Sequence, residues 1–122
     1  MKLIIAGGRD YYLSKIEYEW LDLIVKNVTE VVSGGARGVD ACGEKWARKN
    51  NIPIKQFIPK WQRLGRKAGM VRNRDMAFYA DALAIFPGGA GTANMREEAR
   101  KQKLKIFDKY RSKYDHNGAE YV

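Results

Sequence analysis

Apolar residues in this chain gather in short runs, each followed by a glycine turn or by a stretch with helical spacing. The runs at 2–6, 30–33, 54–58, 82–86 and 105–107 are apolar without strict alternation, as expected of strands buried on both faces. Between the first two, Ile16, Trp20, Leu23, Ile24 and Val28 recur at helical spacing. Ser14 and Glu17 form a capping box at the start of that helix. A second helix is expected over about 39–50 with Ala41, Trp46 and Ala47 inward, and a third over about 69–80. A fourth should start after Thr92, read as its N-cap, and run to about 102, with Glu97 and Glu98 near its positive end. Strands alternating with helices predict an α/β fold: one parallel sheet of about five strands covered on both faces.

That arrangement gives the glycines a meaning. Gly7-Gly8-Arg9, Ser33-Gly34-Gly35-Ala36-Arg37-Gly38-Val39-Asp40 and Pro87-Gly88-Gly89-Ala90-Gly91-Thr92 all follow strands. In a parallel sheet they therefore share the carboxyl edge, where ligands sit. Glycine lets the backbone approach a ligand, and the free N–H groups of a helix N-terminus attract phosphate. The expected phosphate cradle is the backbone of Gly34, Gly35, Gly88, Gly89 and Gly91, closed by Thr92, with Gly7, Gly8, Ser33 and Gly38 as further ligand-binding residues. Arg9, Arg37 and Arg72 would add charge-assisted hydrogen bonds. Asn73 would read a sugar or base edge, and Asp40 a ribose hydroxyl, although Asp40 equally suits plain helix N-terminal charge. The usual fingerprints are absent. Gly89-Ala90-Gly91-Thr92-Ala93-Asn94 ends in asparagine where a dinucleotide motif needs glycine, and Glu44 stands where a P-loop needs lysine.

Composition narrows the chemistry further. The 122 residues, 45% hydrophobic, suit one domain, expected over 1–107, with a polar, basic tail or short helix at 108–122. The net charge of +9 implies anionic partners. Lys60, Arg63, Arg66, Lys67, Arg72 and Arg74 lie within fifteen residues that contain no Asp or Glu, a stretch that either rims the pocket or forms a solvated face. A single cysteine, Cys42, allows no internal disulfide and fits a reducing compartment. The apolar run before Gly7 is too short for a signal peptide or a membrane span. A cytoplasmic protein without membrane contact is expected. His116 is the only histidine and sits in the tail, which argues against histidine-based nucleophilic catalysis. No residues have metal-ligand spacing, so neither metal nor cofactor is expected. Trp61 would stack on a base or serve as core or lid.

Arg72-Asn73 with Met76, then Ala80-Asp81-Ala82, Pro87-Gly88-Gly89-Ala90-Gly91-Thr92 and Met95, together with Gly7-Gly8-Arg9-Asp10 and the turn at 33–40, resemble the SLOG superfamily. Within it they are most similar to the small YspA-like, YpsA-related group of bacteria and phages, over about residues 1–107. The resemblance implies a Rossmann-like three-layer domain that binds a nucleotide or nucleotide-derived small molecule, and a homodimer or higher oligomer. The superfamily holds lonely-guy phosphoribohydrolases, the DNA-processing protein DprA, and sensors of NAD-derived signals. Lonely-guy enzymes pair an upstream arginine with the glutamate of Pro-Gly-Gly-x-Gly-Thr-x-x-Glu. The arginine matches Arg72, but Met95 fills the glutamate position, and a thioether moves no proton. An enzyme of this type would need another acid, and Glu98, one turn further on, is the candidate. Three expectations result: sensing or sequestering of a nucleotide-like molecule, nucleoside-monophosphate N-glycosidase activity from an atypical site, or single-stranded nucleic-acid binding.

Overall fold

A computed structural model describes residues 1–24 and 26–110. Five strands, β1 (Lys2–Ala6), β2 (Glu30–Ser33), β3 (Ile54–Gln56), β4 (Ala82–Ile85) and β5 (Lys105–Asp108), form one sheet in the order β3-β2-β1-β4-β5. All four pairings are parallel. Chain order reverses at β1, so its neighbours β2 and β4 leave it in opposite directions, and a crevice opens beyond the carboxyl ends of β1 and β4. The helices are α1 (Lys15–Ile24), α2 (Val39–Lys49), α3 (Trp61–Leu64), α4 (Ala68–Tyr79) and α5 (Ala90–Lys101), with a 3₁₀ turn at Gly65–Lys67.

The central strand explains its own apolar run. Leu3 and Ile5 point into one core with Leu21, Val39, Trp46 and Ala47 from α1 and α2. Ile4 and Ala6 point into the other with Met76, Ala77, Met95 and Ala99 from α4 and α5. Successive side chains face opposite sides of a strand, so a sheet covered on both faces needs apolar residues at every position. The result is the expected Rossmann-like three-layer α/β domain.

Several local expectations need correction. In α2, Ala41 is exposed, and Val39, Asp40, Cys42, Gly43, Trp46 and Ala47 face inward. In α1, Ile16 and Leu23 face solvent at 66% and 73% exposure, while Glu17 and Leu21 are buried. The expected capping box is present. The Ser14 N–H donates to Glu17 Oε1 at 2.8 Å and the Glu17 N–H to Ser14 Oγ at 3.3 Å. The other carboxylate oxygen accepts from the hydroxyls of Tyr11 at 2.6 Å and Tyr110 at 2.8 Å. Burial pushes the Glu17 carboxyl up, but these hydrogen bonds outweigh it and hold it below its ordinary value. A charged residue thus occupies the inward face, and apolar periodicity gives no sign of it.

β3 stops at Gln56, opposite Ser33 where its partner β2 ends, and a short helix and a 3₁₀ turn occupy part of the basic stretch that follows. Asp108 belongs to β5, one residue beyond the run expected at 105–107. The expected tail or helix lies outside the described residues beyond Tyr110, as does His116. Among the described residues, no helix is long and apolar enough to cross a membrane.

Candidate functional site

The crevice is a cavity of about 910 Å³ over the ends of β1, β2 and β4, within the range that encloses a nucleotide-sized organic molecule. Eleven of the expected ligand residues line it: Gly7, Gly8, Arg9, Gly34, Gly35, Asp40, Arg72, Asn73, Gly89, Gly91 and Thr92. The other four lie behind or outside its wall. Ser33 is buried beneath, where its hydroxyl donates to Glu44 Oε2 at 2.6 Å and accepts the Gly35 N–H at 3.1 Å. Arg37 turns outward to Asp10 at 2.8 Å and to the Arg9 carbonyl at 3.3 Å. Gly38 packs on the backbone of Gly8 and Arg9, and Gly88 packs between Thr92 and Gly8.

The positive pole of the cavity is the start of α5. Gly89, not Thr92, is the N-cap, and Thr92 is the helix's third residue. No side chain caps this end and its first turn carries no acid. Among the described residues, the N–H groups of Ala90, Gly91 and Thr92 have no acceptor, and the first bond of the helix runs from the Ala93 N–H to the Gly89 carbonyl at 3.0 Å. With Gly89, these three residues line the cavity. An uncapped helix start facing a cavity is a ready anion site. Because the helix begins early, Glu97 and Glu98 sit in its middle, away from the positive end.

Arg72 faces this pole from α4, and the fold fixes its position. Its Nη1 donates to the Gly34 carbonyl at 2.6 Å and its Nε to Asn73 Oδ1 at 2.9 Å. Asn73 in turn donates from Nδ2 to the Gly91 carbonyl at 3.2 Å and to Asn94 Oδ1 at 2.8 Å. Asn73 is 6% exposed, with both amide hydrogens engaged, so its visible work is to tie Arg72 to the α5 start. A Cβ at position 34 would come within 2.5 Å of Arg72 Nη1 and 2.9 Å of Asp40 Oδ2, so a side chain there would push these two groups aside. Burial lowers the Arg72 pKa, and the charge of Asp40 pulls it back.

Asp40 forms the floor and is 8% exposed. Burial pushes its carboxyl up to about 6; the Ala36 N–H, donating at 3.1 Å, and the Arg72 charge restrain the rise, and Glu44 adds to it. The folded protein therefore holds this proton more tightly than the unfolded chain does. The associated stability is complete below the unfolded value of about 4 and is lost as pH rises through about 6. D40N keeps an acceptor for the Ala36 N–H but cannot ionise. Its stability relative to the wild type, from urea denaturation, should rise by about 2 kcal/mol between about pH 4 and pH 7. Parallel profiles for the two proteins would refute this environment for Asp40.

Met95 is 2% exposed and lines the cavity, whereas Glu98 pairs with Lys101 at 3.5 Å outside the lining. Of the basic stretch, Arg66 and Arg72 line the cavity; Lys60, Arg63, Lys67 and Arg74 are exposed outside it. Sequence reading missed Ile58, Pro59 and Met70 as wall residues, because they lie far from any glycine turn in sequence. Among the described residues, no group of His, Cys, Asp or Glu could hold a metal ion.

A doubly wound parallel sheet with an uncapped helix start and a fixed arginine at its switch point defines a Rossmann-like domain with a crevice at the carboxyl edge of its sheet. Residues 1–64 match the YspA, cpYpsA-related SLOG family, and the chain belongs to that family. It is similar to the Gene 61 protein of Mycobacterium phage D29, at 34% identity over 86 residues covering 64% of this chain and 69% of that protein. The fold is similar to that of DNA processing protein A (DprA) from Streptococcus pneumoniae, with a TM-score of 0.74 at 19% identity. That likeness covers 99% of this chain, which spans 58% of the DprA chain.

Proposed function

We propose that this protein binds a nucleotide or nucleotide-derived small molecule intact, to sense or sequester it. The observation that carries the reading is the α5 start: three backbone N–H groups without acceptors among the described residues, no acid in the first turn, and Arg72 fixed on the same cavity. Membership of a SLOG family supports a nucleotide-related role. Binding without hydrolysis is favoured because a buried thioether, Met95, lines the wall and Glu98 is engaged elsewhere. An N-glycosidase of the lonely-guy pattern needs its carboxyl group where Met95 stands, and the buried carboxyl that does line the cavity, Asp40, already accepts the Ala36 N–H at 3.1 Å.

Single-stranded nucleic-acid binding is the second reading, favoured by the exposed Lys60, Arg63, Lys67 and Arg74 beside the cavity and by the DprA-like fold. One experiment separates the three. Native mass spectrometry with nucleoside monophosphates, NAD-derived compounds and oligothymidylates should show one intact small molecule per chain. Free base with ribose phosphate would establish the glycosidase instead. Affinity that grows with oligonucleotide length and falls steeply with salt would establish the nucleic-acid reading.

A further inference from the structure

The cavity has two unlike kinds of lining. Besides the α5 start it is lined by Ile58, Trp61 and Met70, each 58% exposed. All three come from the segment between β3 and the first turn of α4. Three large apolar side chains left half open to solvent around one opening form a patch of the kind that marks a binding surface.

The segment's own geometry aims this patch inward. The Trp61 indole passes over Gly69, where a Cβ would lie 3.7 Å from Cη2. Ile58 reaches across to the β2 turn, where a Cβ on Gly35 would come within 2.5 Å of Cδ1. Neither α3 nor the 3₁₀ turn buries a residue, so core packing does not explain the choice of tryptophan at 61. Arg66 lines the same cavity and supplies a cation near the apolar residues.

We propose that this lip is a base-stacking surface: the ligand is a nucleotide whose heterocycle lies on Trp61, between Ile58 and Met70, while its phosphate meets the α5 start. The inference rests on the anion site proposed above and goes further, because inorganic phosphate or a sugar phosphate would leave the lip uncovered. A purine covers more of the indole than a pyrimidine does, so adenosine monophosphate should bind more tightly than cytidine monophosphate.

The test uses the full chain with adenosine monophosphate and ribose 5-phosphate as probes, by calorimetry and by acrylamide quenching of tryptophan fluorescence. Of the three tryptophans, Trp46 is buried at 5% exposure and Trp20 is partly buried, so quenching reports chiefly on Trp61. Adenosine monophosphate should shield Trp61 and ribose 5-phosphate should not. W61A should weaken adenosine monophosphate about tenfold and leave ribose 5-phosphate unchanged, while W61F should stay within about threefold of the wild type. Equal affinity of the wild type for the two probes, or no loss in W61A, would overturn the base-stacking lip and leave the anion site standing. Failure of both probes to bind the wild type would overturn the anion site and this inference with it.

Discussion

Replacing Gly38 by alanine should cost about 4 kcal/mol or more, enough to leave this domain mostly unfolded if its stability lies at the lower end of the ordinary range. Gly38 is the N-cap of α2 with φ 76° and ψ −130°, a conformation that side-chain-bearing residues avoid. A Cβ there would come within 2.3 Å of the Gly8 carbonyl oxygen and 2.6 Å of Arg9 C and O. Those atoms are backbone and cannot rotate away. Moving them would break the bond from the Val39 N–H to Gly8 O at 3.1 Å, which holds α2 to the turn after β1.

Gly35 provides the control. Its φ of 75° carries a comparable backbone penalty, but its added Cβ would meet only the flexible end of Ile58. G35A should therefore lose about 1–2 kcal/mol. Urea denaturation at fixed pH measures both variants. If G38A loses no more than G35A, close backbone packing is not the reason for glycine at 38.

These glycines also show how far sequence reasoning reaches. All five strands and the main helices were legible, because uninterrupted apolar runs at the centre and glycine punctuation between elements each have one physical reading in a parallel sheet. The role of each glycine was not legible. Gly89 and Gly91 open onto the cavity, while Gly38 and Gly88 exist to let backbone and Thr92 pack behind it, and both uses leave the same letter in the sequence. The inward face of α1 was misread for a related reason. Glu17 is buried by polar partners brought from positions 11 and 110, and the second of these is remote in sequence. The split of the arginines followed the same rule: Arg72 is drawn to the cavity by Gly34 and Asn73, and Arg37 is drawn outward by Asp10. Most of these partnerships form between elements, and spacing within one element says nothing of those.

Arg72→Ala should weaken binding of any phosphorylated ligand by about 100-fold, while the protein stays folded. Arginine fixed before the ligand arrives gives up little side-chain freedom on binding, and a charge-assisted contact in a half-buried site contributes about 2–3 kcal/mol. The bonds to Gly34 O and Asn73 Oδ1 provide that fixing. The substitution also removes the countercharge of Asp40, so the Asp40 carboxyl rises further and the floor turns more negative only at higher pH. R72A affinity should therefore fall further as pH rises from about 6 to 8. R72K restores charge but not the two-armed anchor, and should recover no more than about a tenth of wild-type affinity. Calorimetry against adenosine monophosphate, with circular dichroism to confirm folding, measures each step. Folded R72A that binds within about threefold of wild type would remove Arg72 from the anion site and leave the α5 start to hold the phosphate alone.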